Sequence, residues 1–134
     1  MMRAAQAQRA LTSKEMTLLT WLLEHSSPEA KSFIPQLEKI KVSRGCDCGC
    51  PSIKLYVDES VPLGLSSSNI ISDVVGMTTE DKSVGLLLFQ NDGKLTELEV
   101  YSIDDIEGDW GFPVLDSLHK IEWVDQPIQK GSKG

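Results

Sequence analysis

This chain lacks a surplus of basic residues and any long apolar run. Its 134 residues include 20 acidic and 13 basic side chains, which gives a net charge of -7. Nucleic-acid binding is therefore disfavoured, because phosphate contacts need a concentrated basic surface. No stretch approaches about 18 consecutive apolar residues, and glutamines interrupt the N-terminal segment, so we expect neither a membrane span nor an export signal.

Cysteine is absent outside one short segment, which contains Cys46, Cys48 and Cys50. A disulfide inside this segment would close a very small ring with poor geometry and little stabilising effect, so none is expected. We therefore predict a reduced, cytoplasmic protein. Nucleophile-elbow, dinucleotide-binding and phosphate-loop motifs are also absent from the sequence, which favours a non-enzymatic role.

Two helices are predicted near the N-terminus. Thr12 and Glu15 have the spacing of a capping box, and the apolar residues that follow recur at helical spacing to about His25. Ser27 and the proline after it are typical of a second helix start, and Pro35 should kink that helix. Together they predict an N-terminal helical hairpin.

The pattern changes to alternation of apolar and polar residues from about residue 40. Strands are predicted on both sides of the cysteines, over residues 70–75, in a hairpin of residues 84–103 turning at Asn91 to Gly93, and at an edge over residues 121–124. We predict an α+β fold in which the helical hairpin packs on a mainly antiparallel sheet of four or five strands. Its length suits a single domain over residues 1–134, with an ordered core of about residues 10–126 and flexible ends.

The three cysteines are the candidate metal site. Closely spaced thiolates suit zinc or copper, but zinc takes four ligands, and the fourth would come from His25, His119, Asp47 or a second chain. A second interpretation is structural, because small buried cysteines and Gly49 fit a tight connection between strands. Thiol chemistry is the third, although the carboxylate of Asp47 would raise a neighbouring thiol pKa.

An acidic segment followed by aromatic residues is the candidate surface for a basic protein partner. The alternative is that Trp110, Phe112 and Trp123 form a hydrophobic lid that closes the sheet. Its residues are Asp104, Asp105, Glu107, Asp109, Trp110 and Phe112. The segment does not fit a calcium-binding EF-hand, because aligning Gly108 with the required glycine places Ile103 at the first ligand position.

Glu97 and Glu99 are a further acidic pair. They lie two residues apart in a predicted strand and so on one face, with Leu98 and Val100 on the other. Paired carboxylates can perform acid and base catalysis. The simpler interpretation is a solvated strand face.

Several segments together resemble a family of small uncharacterised bacterial proteins. The most specific is the Cys-x-Cys-Gly-Cys-Pro motif of residues 46–51, and the others lie at residues 11–15, 21–25, 36–37, 84–93 and 98–102. The family has no established activity, so the resemblance implies no catalytic residue. We interpret the chain as a non-enzymatic acidic protein-interaction module, similar to immunity or inhibitor proteins, and as a monomer or weak dimer. The alternatives are a metal-binding protein and a thiol-dependent enzyme that pairs a cysteine with a histidine.

Overall fold

The computed structural model describes residues 8–45 and 49–120, and in this part of the chain the fold is α+β. The α-helix α1 spans Ser13–His25, and two 3-10 helices span Ala30–Lys39 and Leu115–Ser117. The strands are β1 (Arg9–Ala10), β2 (Ile40–Arg44), β3 (Ile53–Val57), β4 (Ile70–Met77), β5 (Ser83–Asn91), β6 (Lys94–Ser102) and β7 (His119–Lys120). The ends that we predict to be flexible lie almost entirely outside the described residues.

Helix α1 begins at the predicted capping box. The Thr12 hydroxyl accepts a hydrogen bond from the Glu15 N–H at 3.1 Å, and the Glu15 carboxylate accepts one from the Thr12 N–H at 2.9 Å. These bonds satisfy N–H groups that the start of a helix leaves without partners. The apolar side chains on one face of the helix are then buried; they are Leu18, Leu19, Leu22 and Leu23.

The second α-helix, and with it the helical hairpin, is not confirmed. Ala30–Lys39 is a 3-10 helix with Pro35 inside it, and proline lacks the N–H that an α-helix interior requires. Three of its four buried residues, Ala30, Phe33 and Gln36, recur at every third position, which matches a helix of three residues per turn; the fourth is Leu37. A spacing of three resembles the α-helical period of 3.6 in so short a segment, so the sequence alone does not separate the two.

The sheet is larger than the predicted four or five strands. It is antiparallel throughout, and its seven strands within the described residues lie in the order β1-β2-β3-β6-β5-β4-β7. The two additional strands, Arg9–Ala10 and His119–Lys120, are the edges and have two residues each. Such short strands cannot show an alternating pattern. The edge strand predicted at residues 121–124 lies outside the described residues.

The hairpin of β5 and β6 turns where the sequence predicts. Asn91 pairs with Lys94, and the two residues between them, Asp92 and Gly93, have φ of 53° and 85°. Two positive φ values are typical of a type I′ turn, which matches the twist of the flanking strands. Leu98 and Val100 then face the core, so Glu97 and Glu99 lie on the opposite face, as predicted.

The two faces of the sheet differ. One hydrophobic core joins α1, the longer 3-10 helix and strands β2 to β6 on one face. On the other face, which we call the open face, the described residues form no helical layer, and Leu87, Phe89 and Tyr101 are half-buried. No helix in the described part of the chain has the length and apolarity to cross a membrane.

Candidate functional site

The cysteine segment connects β2 to β3, as predicted. The Gly45 N–H donates to the Ser52 carbonyl at 2.8 Å and closes the base of this connection. Gly45 has no room for a side chain, since a Cβ there would lie 2.9 Å from the Ser52 carbonyl carbon. Cys46, Asp47 and Cys48 lie outside the described residues, so the structure locates the motif through Gly49 and Cys50.

Ser52 fixes the position of Cys50 beside β6. Its hydroxyl accepts a hydrogen bond from the Val100 N–H at 2.8 Å and donates one to the Val100 carbonyl at 3.1 Å. The Cys50 thiol in turn donates to the Ser52 oxygen at 3.3 Å. The ladder pairs of β3 with β6 are Ile53 with Leu98 and Lys54 with Glu97, so the Ser52 side chain continues the contact where the strands separate.

The acidic segment packs against the cysteine segment. The Trp110 N–H donates to the Gly49 carbonyl at 3.1 Å. Gly49 has φ of 96°, and a Cβ at this position would lie 2.8 Å from the Gly108 carbonyl oxygen and 3.1 Å from a carboxylate oxygen of Asp109. Only glycine allows this backbone conformation and this close approach without strain. Two segments that are far apart in sequence therefore form one surface.

Two clefts share the side chains of Cys50, Ser52 and Trp110. One, which we call the Arg9 cleft, also contains Arg9, Glu15, Arg44, Asp109 and Phe112. The other, which we call the Glu99 cleft, also contains Glu97, Glu99, Tyr101 and Ile106. The cysteine motif, the acidic pair and the acidic segment, which are separate candidates in the sequence, thus meet around Trp110.

Two of the charged side chains in the Arg9 cleft, Arg9 and Glu15, pair with each other. Arg9 donates two hydrogen bonds to Glu15, each 2.8 Å long. Burial alone would raise the pKa of Glu15, but the hydrogen bonds from Arg9 and Thr12 outweigh it and lower that pKa below its ordinary value. The ion pair with Glu15 raises the pKa of Arg9. This pair connects β1 to the start of α1, which indicates a structural role.

The Glu99 cleft is different because its acids form no ion pair among the described residues, although Lys54 lies opposite Glu97 on β3. Burial and the negative charges of Asp73 and Glu99 raise the pKa of Tyr101. The Tyr101 hydroxyl is therefore a protonated hydrogen-bond donor at neutral pH. The cleft combines two aromatic side chains, Tyr101 and Trp110, with the carboxylates of Glu97 and Glu99.

The predicted partner-binding residues are not all in one place. Trp110 lines both clefts, whereas Asp109 and Phe112 line the Arg9 cleft. Trp110 and Phe112 are half-buried and also pack against the hydrophobic core. Asp104, Asp105 and Glu107 are exposed in the segment between β6 and Trp110. The carboxylate of Asp104 accepts a hydrogen bond from the Ser83 N–H at 2.8 Å, so it also holds this segment to the start of β5.

Neither histidine lines the two clefts. His25 stacks on Trp21 with ring centroids 4.3 Å apart at the end of α1, and His119 lies in β7 at an edge of the sheet. Within residues 8–45 and 49–120, no three His, Cys, Asp or Glu side chains are arranged to hold a metal ion. Cys46 and Cys48 lie outside the described residues, so metal binding by the three cysteines stays a prediction.

Ser52, Tyr101 and Asp73 are site residues that were not predicted from the sequence. Tyr101 could have been predicted, because it lies two residues after Glu99 in the same strand and therefore on the same face. Ser52 carries no local signal, because its hydrogen bonds reach β6. Comparisons with protein-family models, curated proteins and solved structures found no match.

Proposed function

We propose that this protein is a non-enzymatic interaction module that binds a basic protein partner through the Glu99 cleft and the adjoining acidic segment. The observation that carries the proposal is the meeting of Trp110 and Tyr101 with the carboxylates of Glu97 and Glu99 in one cleft. Exposed Asp105 and Glu107 lie in the adjoining segment.

Aromatic side chains surrounded by charged ones suit protein recognition. Buried aromatic anchors supply most of the binding energy in many interfaces, while charged rims accelerate association and select partners of opposite charge. The net charge of -7 favours a basic partner and disfavours nucleic acid. A similarity to immunity or inhibitor proteins, a cytoplasmic location and a monomeric or weakly dimeric state remain part of this proposal.

An enzyme that pairs a cysteine with a histidine receives less support. Cys50 lies in both clefts, but neither His25 nor His119 lines them. A histidine base must reach its nucleophile within hydrogen-bond distance or through one water. The described residues supply no such pair, and we favour the interaction module.

The two parts of the surface should affect different rate constants. Once a partner has been captured with the wild-type protein, Trp110→Ala is expected to increase its dissociation rate roughly 30-fold, the effect of losing a central aromatic anchor. Replacing Asp105 and Glu107 by Asn and Gln should instead slow association and flatten its salt dependence. Surface plasmon resonance at several salt concentrations measures both effects.

Glu24→Gln is the matched control for these charge changes, since Glu24 is an exposed acid on α1. It should leave both rate constants unchanged. Thermal melts of each variant show that the fold is retained. If folded Trp110→Ala keeps the wild-type association and dissociation rates for each specific partner, the Glu99 cleft is not the binding site and the proposal fails.

A metal centre is the second candidate function, and the position of Asp109 favours it. The carboxylate of Asp109 lies beside Gly49, in the middle of the cysteine motif. It could complete the four-ligand shell of zinc with the three cysteines. Elemental analysis of untagged, anaerobically purified protein separates the candidates: about one zinc or copper per chain, lost in Cys48→Ser and Asp109→Asn, supports a metal centre. The interaction module predicts metal well below that amount.

A further inference from the structure

The open face of the sheet combines apolar and acidic side chains, with Lys54 opposite Glu97 on β3 and His119 opposite Val75 on β7. Val75, Leu87 and Phe89 are half-buried on it, and the Tyr101 ring lies against Gly85, whose missing side chain leaves room for the ring. The described helices cover the other face of the sheet. The Glu99 cleft opens at one end of this surface, since Glu97, Glu99 and Tyr101 belong to both.

Two acids flank one apolar residue in the middle of this face. Leu87 on β5 pairs with Asp73 on β4 and with Glu99 on β6. Directly paired residues point to the same face, so the three side chains form a row across the sheet. With neighbouring strands about 4.8 Å apart, the Cα atoms of Asp73 and Glu99 are separated by roughly 10 Å. A cationic group above Leu87 would lie between the two carboxylates.

Asp73 has an unfilled hydrogen-bonding site. Its Oδ1 atom is shielded from solvent and has no hydrogen-bond partner in the part of the chain that the structure describes. A buried carboxylate oxygen without a donor is unfavourable, so the described residues leave the Asp73 carboxylate incompletely compensated at this position on the face. The raised pKa of Tyr101, which results from burial and then from Asp73 and Glu99, shows that both charges act on this region.

We propose that the open face is where the basic partner docks, and that an arginine side chain of the partner lies over Leu87 with its guanidinium between Asp73 and Glu99. The inference rests on the proposed function and adds the residue type that the surface recognises. Arginine fits better than lysine, because its planar fork can donate to both carboxylates while its aliphatic stem packs on Leu87 and Phe89. A second copy of this chain is a poor occupant, since each copy carries a net charge of -7.

The arginine site can be tested without knowing the partner. The side-chain carboxyl signals of Asp73 and Glu99 are followed by carbon-13 NMR while Nα-acetyl-arginine amide is added to the full chain. Nα-acetyl-citrulline amide, which has nearly the same shape and no charge, is the matched probe. Arginine amide is expected to saturate both signals with a dissociation constant of roughly 1 mM, and citrulline amide to bind at least about tenfold more weakly.

Asp73→Asn and Glu99→Gln should each weaken binding of arginine amide by roughly tenfold, which corresponds to about 1.4 kcal/mol. Glu24→Gln on α1 should have no effect. Two variants are used because Glu99 borders an open cleft, so Glu99→Gln should fold even if Asp73→Asn does not.

The inference is overturned if arginine amide shifts Glu24 as much as Asp73 and Glu99, or if folded Glu99→Gln binds it like the wild type. This failure is distinct from failure of the proposed function. Partner binding that is lost in Trp110→Ala but unchanged in Asp73→Asn and Glu99→Gln retains the interaction module and removes the arginine site. Partner binding that is unaffected by Trp110→Ala removes the proposed function itself.

Discussion

Gln36→Leu should lower the free energy of unfolding by about 2 to 4 kcal/mol, although leucine is similar in size to glutamine. Gln36 is fully buried. Its Oε1 accepts a hydrogen bond from the Leu95 N–H at 3.1 Å, and its Nε2 donates to the carbonyls of Gly93 at 2.7 Å and Pro62 at 3.1 Å. Leucine removes the side-chain partner of the Leu95 N–H and the Pro62 carbonyl, whereas the Gly93 carbonyl keeps a hydrogen bond from the Gly64 N–H at 2.8 Å. Urea denaturation measures the loss.

Gln36→Glu separates loss of hydrogen bonds from loss of packing. The ionised carboxylate would face the carbonyls of Gly93 and Pro62, so burial and this repulsion should raise its pKa in the folded state. A carboxyl group with a raised folded pKa destabilises the protein increasingly as pH rises above its unfolded value of about 4.3. The variant should therefore lose more stability at pH 7 than at pH 4.5, relative to wild type at each pH. A loss below about 0.5 kcal/mol in Gln36→Leu would contradict the buried network.

Features that depend on adjacent residues could be predicted from the sequence. The capping box needs only Thr12 and Glu15, and the hairpin turn needs only Asp92 and Gly93. The alternation that places Glu97 and Glu99 on one face is equally local. Gln36 has no such signal, because all of its partners lie on a loop and on the hairpin of β5 and β6. The burial of Gln36 therefore depends on tertiary structure and cannot be predicted from the residues next to it in the sequence.

The candidate site also combines local features, which the sequence predicts, with contacts that depend on tertiary structure. The sequence identified the cysteine motif, the acidic pair and the acidic segment, but it did not indicate that they meet. They meet because β3 lies next to β6 in the sheet, so the connection before β3 reaches Val100 and Trp110. Strand order in an antiparallel sheet depends on which faces and edges pair after folding, and alternation alone leaves several orders open. Asp73 joins this surface through its register with β5, which is also a non-local property.

Gly49→Ala should be the most disruptive glycine substitution in the candidate site. Alanine is strained at φ of 96°, and its Cβ would lie 2.8 Å from the Gly108 carbonyl oxygen. The two effects together should cost about 2 to 4 kcal/mol. The collision should also separate the cysteine segment from Trp110, whose N–H donates to the Gly49 carbonyl. Hydrogen exchange of the Trp110 amide, measured by NMR, should therefore become faster than global unfolding explains.

Two other glycines in the acidic segment separate strain from collision. Gly108 has φ of 74° but open space around it, so Gly108→Ala should cost only about 1 to 2 kcal/mol of backbone strain. Gly111 has open space and no positive φ, so Gly111→Ala should change stability by less than about 0.5 kcal/mol. Only Gly49→Ala should accelerate exchange of the Trp110 amide, because only there does the added methyl group push the two segments apart. Equal exchange rates in Gly49→Ala and Gly108→Ala would mean that the contact at Gly49 does not hold Trp110 in place.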